Sequence, residues 1–212
     1  MKGFPITLVN LPQYLCIVVG GGEVAARKVT ALLEAGAHPV VISPALCDAL
    51  HRQAEAGEID IIEREYQAGD LAGARLVIAA TDDPDTNEAV WQEAQATGSL
   101  ANVVDDPARC HFYVPATVRR GDLTFSVSTG GSNPALARNI RQTLEQQFDA
   151  AYGPYVALLR DLRPLVQEQI PDPVCRKALW GALLDSDILE LFRLGDAERA
   201  RQRAHETIAS FC

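Results

Sequence analysis

With 212 residues, 48% of them hydrophobic and 22% charged, the chain has the make-up of an ordinary globular protein of one or two domains. Its 28 acidic against 19 basic side chains leave a net charge of −9, which argues against nonspecific nucleic-acid binding, since that depends on clustered positive charge. No apolar run approaches the roughly 20 residues of a membrane helix, and the opening "MKGFPITLVNLPQY" is broken by Pro5, Asn10, Pro12 and Gln13 and does not read as a signal peptide, so a cytoplasmic protein is expected.

Strand and helix patterns alternate through the first half. "ITLV" and "CIVVG" are short, β-branched-rich runs that read as strands. "EVAARKVTALLEAG" carries Val24, Ala25, Val29, Leu32 and Leu33 at helical spacing and stops at Gly36. "PVVIS" reads as a buried strand, "ALCDALHRQAEAG" as a helix, and "IDIIERE" and "ARLVIAAT" as strands. A helix over "DPDTNEAVWQEAQATG" and a strand over "LANVV" complete the series. This alternation predicts an α/β fold with a Rossmann-type parallel sheet.

The pattern then changes. "HFYVPATVRRGDLTFSVSTGG" holds two strand-like runs around a turn at Gly121, and "SNPALARNIRQTLEQQF" reads as a helix with Asn133 as N-cap and Pro134 at its first position. Beyond about residue 150 only helical patterns remain, with Pro164 expected to kink or break the first of them. Three parts follow: 1–113 as the α/β unit, 114–150 as a small α+β dimerisation segment, and 151–212 as a helical domain. The middle part is too short to bury a core of its own, so it is expected to pair with a second copy in a homodimer.

The cysteines at 16, 47, 110, 175 and 212 form no CxxC pair, and the four histidines show no ligand spacing. No metal site and no disulfide framework is indicated, and the thiols read as buried and inert.

Gly20, Gly22 and Ala25 fit G-x-G-x-x-A, with Gly21 additional. The first glycine permits a tight strand-to-helix turn, the second lets a pyrophosphate approach the backbone, and the alanine lets helix and strand pack closely. The motif follows a strand and opens a helix, the context in which a phosphate meets free N–H groups and the positive helix end. About 20 residues further on, where a carboxylate commonly reads the adenosine ribose, stands Ser43, followed by Pro44. A serine hydrogen-bonds a hydroxyl without adding charge; Ser43–Pro44 reads equally as a plain turn.

Acidic clusters follow the next two strands, in "ATDDPDTN" and "NVVDDPARC". Capping accounts for Asp82, Asp83 and Asp85, because a helix starts there. Asp105 and Asp106 precede no long helix and have less capping to do. "SVSTGGSNP" feeds a helix N-terminus, where Ser128, Thr129 and Ser132 either hold an anionic group or form a capped glycine turn.

Taken together, "FPITLVNL", "CIVVGGGEVAARKV", "VIAATDDPDTN", "NVVDDP", "FYVPA" and "SVSTGGSNPALAR" resemble the precorrin-2 dehydrogenase part of the siroheme synthase family, densely up to about residue 150 and beyond it only in length and helical character. The resemblance implies a Rossmann domain, a dimerisation segment and a helical domain. It implies that NAD⁺ accepts a hydride from precorrin-2, a polycarboxylate tetrapyrrole, to give sirohydrochlorin. In some members Fe²⁺ insertion as a ferrochelatase follows. Carried over by position, the family's functional aspartate falls on Asp105 and its serine on Ser128. Its cofactor contacts fall on Gly20, Gly21, Gly22, Glu23 and Val24, on Ser43, Pro44 and Ala45 after the second strand, and on Thr81 after the fourth. Asp105 then takes or guides the proton whose loss accompanies hydride transfer. The competing readings are a non-catalytic NAD-binding regulatory domain, and a chelatase without redox function.

Overall fold

A computed structural model describes residues 3–211. The chain divides into two compact units, Met1–Val114 and Pro115–Cys212.

The first unit is built on a five-stranded sheet. Its strands are β1 (Cys16–Val19), β2 (Val40–Ile42), β3 (Asp60–Ile62), β4 (Leu76–Ala79) and β5 (Leu100–Val103), in the order β3-β2-β1-β4-β5 with every pairing parallel. Side chains alternate across it, as period-2 geometry requires. Val18, Val41 and Ile78 meet Ala25, Val29 and Leu32 of α1 (Glu23–Glu34) and Leu50 of α2 (Asp48–Glu55) on one face. Ile17, Val19, Ile42 and Val77 meet Val90 and Ala94 of α3 (Pro84–Thr97) and Leu71 of the β3–β4 loop on the other. Burial on both faces explains why these strands read as unbroken apolar runs. The chain fills β1, β2 and β3 in one direction, then crosses back to β4 and β5, so the strand order reverses between β1 and β4. Ligands of open α/β sheets lie beyond the carboxyl ends of the strands at such a reversal.

The second unit begins with an antiparallel hairpin, β6 (Ala116–Arg120) and β7 (Leu123–Val127), with Gly121 in the left-handed conformation at its turn. α4 (Pro134–Gln147) packs on the hairpin, its N-cap Asn133 accepting from the Leu136 N–H at 2.9 Å. α5 (Tyr152–Gln169), α6 (Pro173–Leu184), α7 (Ile188–Arg193) and α8 (Ala197–Ala209) enclose a core that includes Leu158, Leu162, Val166, Leu179, Leu183, Ile188 and Ala204. A run of ring contacts from Phe125 through Phe148, Tyr152 and Tyr155 to Phe192 joins hairpin to helices within this unit. Among the described residues no helix is long and apolar enough to cross a membrane.

Three expectations are corrected. "ITLV" is no strand: residues 3–10 form no regular element, and Phe4 is 87% exposed and Ile6 66%. β-branched composition favours a strand only where a neighbour supplies the other half of the ladder. Of the two outcomes expected at Pro164, a kink or a break, the break is excluded, because α5 runs through it. Pro164 stands on the exposed face opposite Leu162 and Val166, where a carbonyl deprived of its helical N–H is open to solvent at little cost. Cys175, read as an inert thiol, is disulfide-bonded, whereas Cys16, Cys47 and Cys110 are free and Cys212 lies outside the described residues. Pairing depends on how helices bring backbones together, which spacing along the chain does not encode.

Candidate functional site

The three glycines sit at the carboxyl end of β1, each in a different environment. Gly20 has φ +124°, donates its N–H to the Ile42 carbonyl at 2.9 Å, and lies against the Ala80 carbonyl so closely that a Cβ would stand 2.7 Å from Ala80 C. Only glycine combines that φ with that approach. Gly21 is pressed against the loop after β2: its carbonyl accepts from the Cys47 N–H at 2.8 Å, and a Cβ would stand 2.6 Å from Ser43 Oγ and collide with the Ala45 carbonyl. Gly22 differs. A Cβ there would meet nothing within 4 Å, and as N-cap of α1 it offers no side-chain bond to the helix start. Among the described residues no side chain caps the first N–H groups of α1, at Glu23 and Val24, which stand at the positive end of the helix. The cradle formed by Gly20 and Gly21 and the opening over Gly22 fit the pyrophosphate of a dinucleotide.

The flanking positions are less available than their spacing indicates. Ser43 is only 6% exposed, and its hydroxyl donates to the Ala45 carbonyl at 2.7 Å. Its proton is thus committed to the turn, while Pro44 and Ala45 themselves are exposed. Thr81 Oγ1 lies 3.0 Å from both the Asp83 carbonyl and Asn87 Oδ1 and accepts from the Asp83 N–H, so this hydroxyl braces the start of α3. Asp83 is the N-cap, accepting from the Asp85 and Thr86 N–H groups. The Thr86 hydroxyl and these N–H groups hold its carboxyl below the usual range.

At the end of β5, Asp105 has φ +60°, one of two non-glycine residues of the described chain in the left-handed region. Such a conformation costs an L-residue with a Cβ energy and persists where the surroundings impose it, often at functional sites. Around it the polar groups are engaged. Asp106 accepts from the Ala108 N–H and pairs with Arg109, whose guanidinium also meets Glu88. That pairing holds the Asp106 carboxyl low. Cys110 Sγ donates toward the Val103 and Asp106 carbonyls, and burial pushes its thiol pKa up, which marks it as inert. Asn102, buried, donates to the Phe112 carbonyl at 2.9 Å, and His111 Nδ1 accepts from the Ala101 N–H with its ring against Trp91. Both are structural.

Ser128 belongs to the second unit. It is exposed after β7, and its Oγ accepts from the Gly130 N–H at 3.2 Å. Thr129 Oγ1 accepts from the Asn133 N–H, and the Thr129 carbonyl accepts from the Ser132 N–H and hydroxyl, so the glycine turn is bonded largely within itself. No group of three or more His, Cys, Asp or Glu gathers to hold a metal among the described residues.

Two features escaped the sequence. A cavity of about 640 Å³ lies between α3 and the β3–β4 loop, lined in part by Tyr66, Gly69, Thr86 and Glu93. On its wall the Glu93 carboxylate accepts from the Tyr66 hydroxyl and the Gly69 and Leu71 N–H groups. The other is Lys28, half-buried at the margin of the apolar face that Ala25, Val29 and Leu32 of α1 present to the core. Burial lowers its pKa, with Arg27 adding to the effect and Asp105 and Cys110 opposing it. A lysine set between Ala25, Ala26 and Val29 was the available signal.

A doubly wound parallel sheet with a glycine-rich first turn at its point of reversal defines a dinucleotide-binding unit of Rossmann type. The chain belongs to the family described as "Putative NAD(P)-binding", whose model matches residues 8–116. A second model, "Sirohaem synthase dimerisation region", matches residues 151–208, which hold α5 to α8 of the second unit. Among curated proteins the chain is 40% identical over 210 residues to a siroheme synthase of Chromobacterium violaceum, covering 99% of this chain and 44% of that protein. It is 39% identical over 208 residues to a siroheme synthase of Thioalkalivibrio sulfidiphilus, covering 98% and 42%. The chain thus spans less than half the length of these relatives. Among solved structures it resembles SirC, a precorrin-2 dehydrogenase, with a TM-score of 0.76 at 22% identity over 96% of this chain and 100% of that one. That likeness establishes the fold.

Proposed function

We propose that the chain is an NAD-dependent dehydrogenase that oxidises precorrin-2 to sirohydrochlorin. The observation that carries the proposal is end-to-end coverage: nearly the whole chain aligns with the siroheme synthases, and nearly the whole chain overlays the precorrin-2 dehydrogenase SirC along that protein's full length. The open Gly22 and the left-handed Asp105 on one sheet edge give that coverage a chemical content.

In this reading Gly20 and Gly21 fix the loop, Gly22 and the N–H groups of Glu23 and Val24 receive the pyrophosphate, and backbone at Ser43–Ala45 borders the adenosine ribose. Thr81 shapes the loop beyond β4. NAD⁺ supplies the hydride acceptor when bound. Asp105 orients the reacting ring edge and guides the proton that leaves with the hydride, and its exposure leaves it accessible to do so. Ser128 hydrogen-bonds the substrate from its exposed turn. The absence of a carboxylate at 43 removes the repulsion that normally excludes a 2′-phosphate, so preference for NAD⁺ over NADP⁺ is modest.

The homodimer belongs to the same proposal. The two outer edges of the β6–β7 hairpin carry no further strand among the described residues, and exposed edges seek partners. The match of residues 151–208 to a dimerisation region adds the adjoining helices. Fe²⁺ insertion into sirohydrochlorin is the finer extension, and the cytoplasm the proposed compartment.

The test is turnover of precorrin-2 with NAD⁺, followed by NADH and sirohydrochlorin absorbance, with an Fe²⁺ arm read as siroheme. Asp105→Asn, which keeps a residue tolerant of left-handed backbone, is expected to lose turnover while retaining NAD⁺ affinity. No NADH from the wild-type chain sinks the proposal; equal loss of turnover and affinity in the variant makes Asp105 structural.

A further inference from the structure

Lys28 occupies a place where an unused cation is costly. It lies in the second turn of α1, near the positive end of the helix dipole, and its side chain is half-buried. Among the described residues it forms no hydrogen bond, and no acidic oxygen comes within the 4.0 Å of an ion pair. Side chains of a helix lean toward its N-terminus. The α1 N-terminus lies at the carboxyl edge of the sheet, so the Lys28 stem carries its ammonium toward the edge where Asp105 follows β5.

Electrostatics agrees with that direction. The charged or titratable groups that act on Lys28 are Arg27 on its own helix, and Asp105 and Cys110 from the segment beyond β5. The thiol is inert and already bonded to backbone carbonyls. Arg109 is ion-paired with both Asp106 and Glu88. Lys28 and Asp105 are left as a separated pair of opposite charges at the site edge, neither side chain hydrogen-bonded among the described residues. A neutral ligand gives the ammonium nothing to offset its burial. An anionic one does, and in a chain of net charge −9 a local cation offsets the repulsion that an anion otherwise meets.

Resting on the dehydrogenase reading, we propose that Lys28 binds a peripheral carboxylate of the tetrapyrrole substrate and so sets the reacting edge of the macrocycle against Asp105. The reaction stays that of the proposed dehydrogenase; Lys28 adds substrate affinity and register.

The experiment compares wild type, Lys28→Met, Lys28→Gln and Lys28→Arg in precorrin-2 turnover and in titration with sirohydrochlorin, the anionic product, with and without added salt. Folding is checked by thermal melting, and the polar Lys28→Gln covers the case in which Lys28→Met fails to fold. Loss of a charge-assisted hydrogen bond is expected to raise KM for the tetrapyrrole and Kd for sirohydrochlorin about tenfold or more, leave KM for NAD⁺ within about twofold, and flatten the salt dependence of binding. Lys28→Arg is expected to recover most of the affinity. Unchanged tetrapyrrole KM and Kd overturn the proposal, as do parallel rises in both KM values, a fall in kcat alone, or failure of arginine to rescue. A wild-type chain that neither oxidises precorrin-2 nor binds sirohydrochlorin overturns the dehydrogenase reading itself, and this inference with it. Normal wild-type turnover with indifferent Lys28 variants overturns the inference alone.

Discussion

The glycine loop predicts opposite outcomes for the same substitution at positions two residues apart. Gly20→Ala places a methyl group against the Ala80 carbonyl at φ +124°. Left-handed strain of roughly 1–3 kcal/mol and overpacking of roughly 1–3 kcal/mol add to about 2–6 kcal/mol, a large part of the roughly 5–15 kcal/mol that holds a domain folded. Gly22→Ala meets open space at φ −84° and ψ −177°, which any residue adopts. Restricting the unfolded chain stabilises by about 0.4–1 kcal/mol, and alanine is a poorer N-cap than glycine by a comparable amount. The net change stays within about 1 kcal/mol, a melting shift of at most about 2–4 °C. The new methyl nevertheless fills the space through which a pyrophosphate reaches the backbone, and NAD⁺ affinity is expected to fall at least about tenfold, or 1.4 kcal/mol. Thermal melting and calorimetric titration with NAD⁺ read the two effects separately. Binding by Gly22→Ala within about twofold of wild type would falsify the placement of the pyrophosphate, and a melt as low as that of Gly20→Ala would show that the space over Gly22 is not open.

Ser43→Ala removes the bond to the Ala45 carbonyl and is expected to cost about 1 kcal/mol of stability with NAD⁺ affinity nearly unchanged; a tenfold loss of affinity would mean that the hydroxyl reaches the ribose after all. At Glu93, burial pushes the carboxyl up, but the Tyr66 hydroxyl and the Gly69 and Leu71 N–H groups outweigh it and hold the group below its ordinary 4.5. The stability this contributes is present above that value and is lost as pH falls through the lowered one. Glu93→Gln should therefore show a shallower decline of stability in acid than wild type in urea unfolding followed from pH 6 downward, and parallel declines would remove Glu93 from the acid transition.

What the sequence revealed follows from what a single segment can encode. β1, β2 and β4 are buried on both faces, so their apolar runs announce them, and Asn133–Pro134 and Gly98 mark helix ends by their own conformational demands. "IDIIERE" is a strand only to Ile62, because the Arg64 N–H turns back to the Ile62 carbonyl and its guanidinium forks onto Asp70. That closure needs a partner six residues on, which no periodicity shows. The Gly20–Gly22 turn was legible because what it requires of each residue is backbone geometry. Ser43 and Thr81 were legible only as positions: that both hydroxyls are committed to neighbouring turns depends on rotamers and on Ala45 and Asn87. Lys28 and Asp105 are far apart in the chain, and their proximity exists only once β5 lies beside β4.

The grip on Gly20 and Gly21 by the Ile42 carbonyl and the Cys47 N–H has a consequence for how the site can change. The loop is held by the protein's own backbone bonds, so ordering it on a ligand costs little entropy. It also means that the first two glycines have no tolerance for variation, because their neighbours are backbone atoms that no compensating side-chain change can move aside. Divergence in coenzyme choice has to act elsewhere, at the exposed Pro44–Ala45 tip. With no ribose carboxylate to remove, one added cation at that tip is the shortest route to a coenzyme bearing a 2′-phosphate.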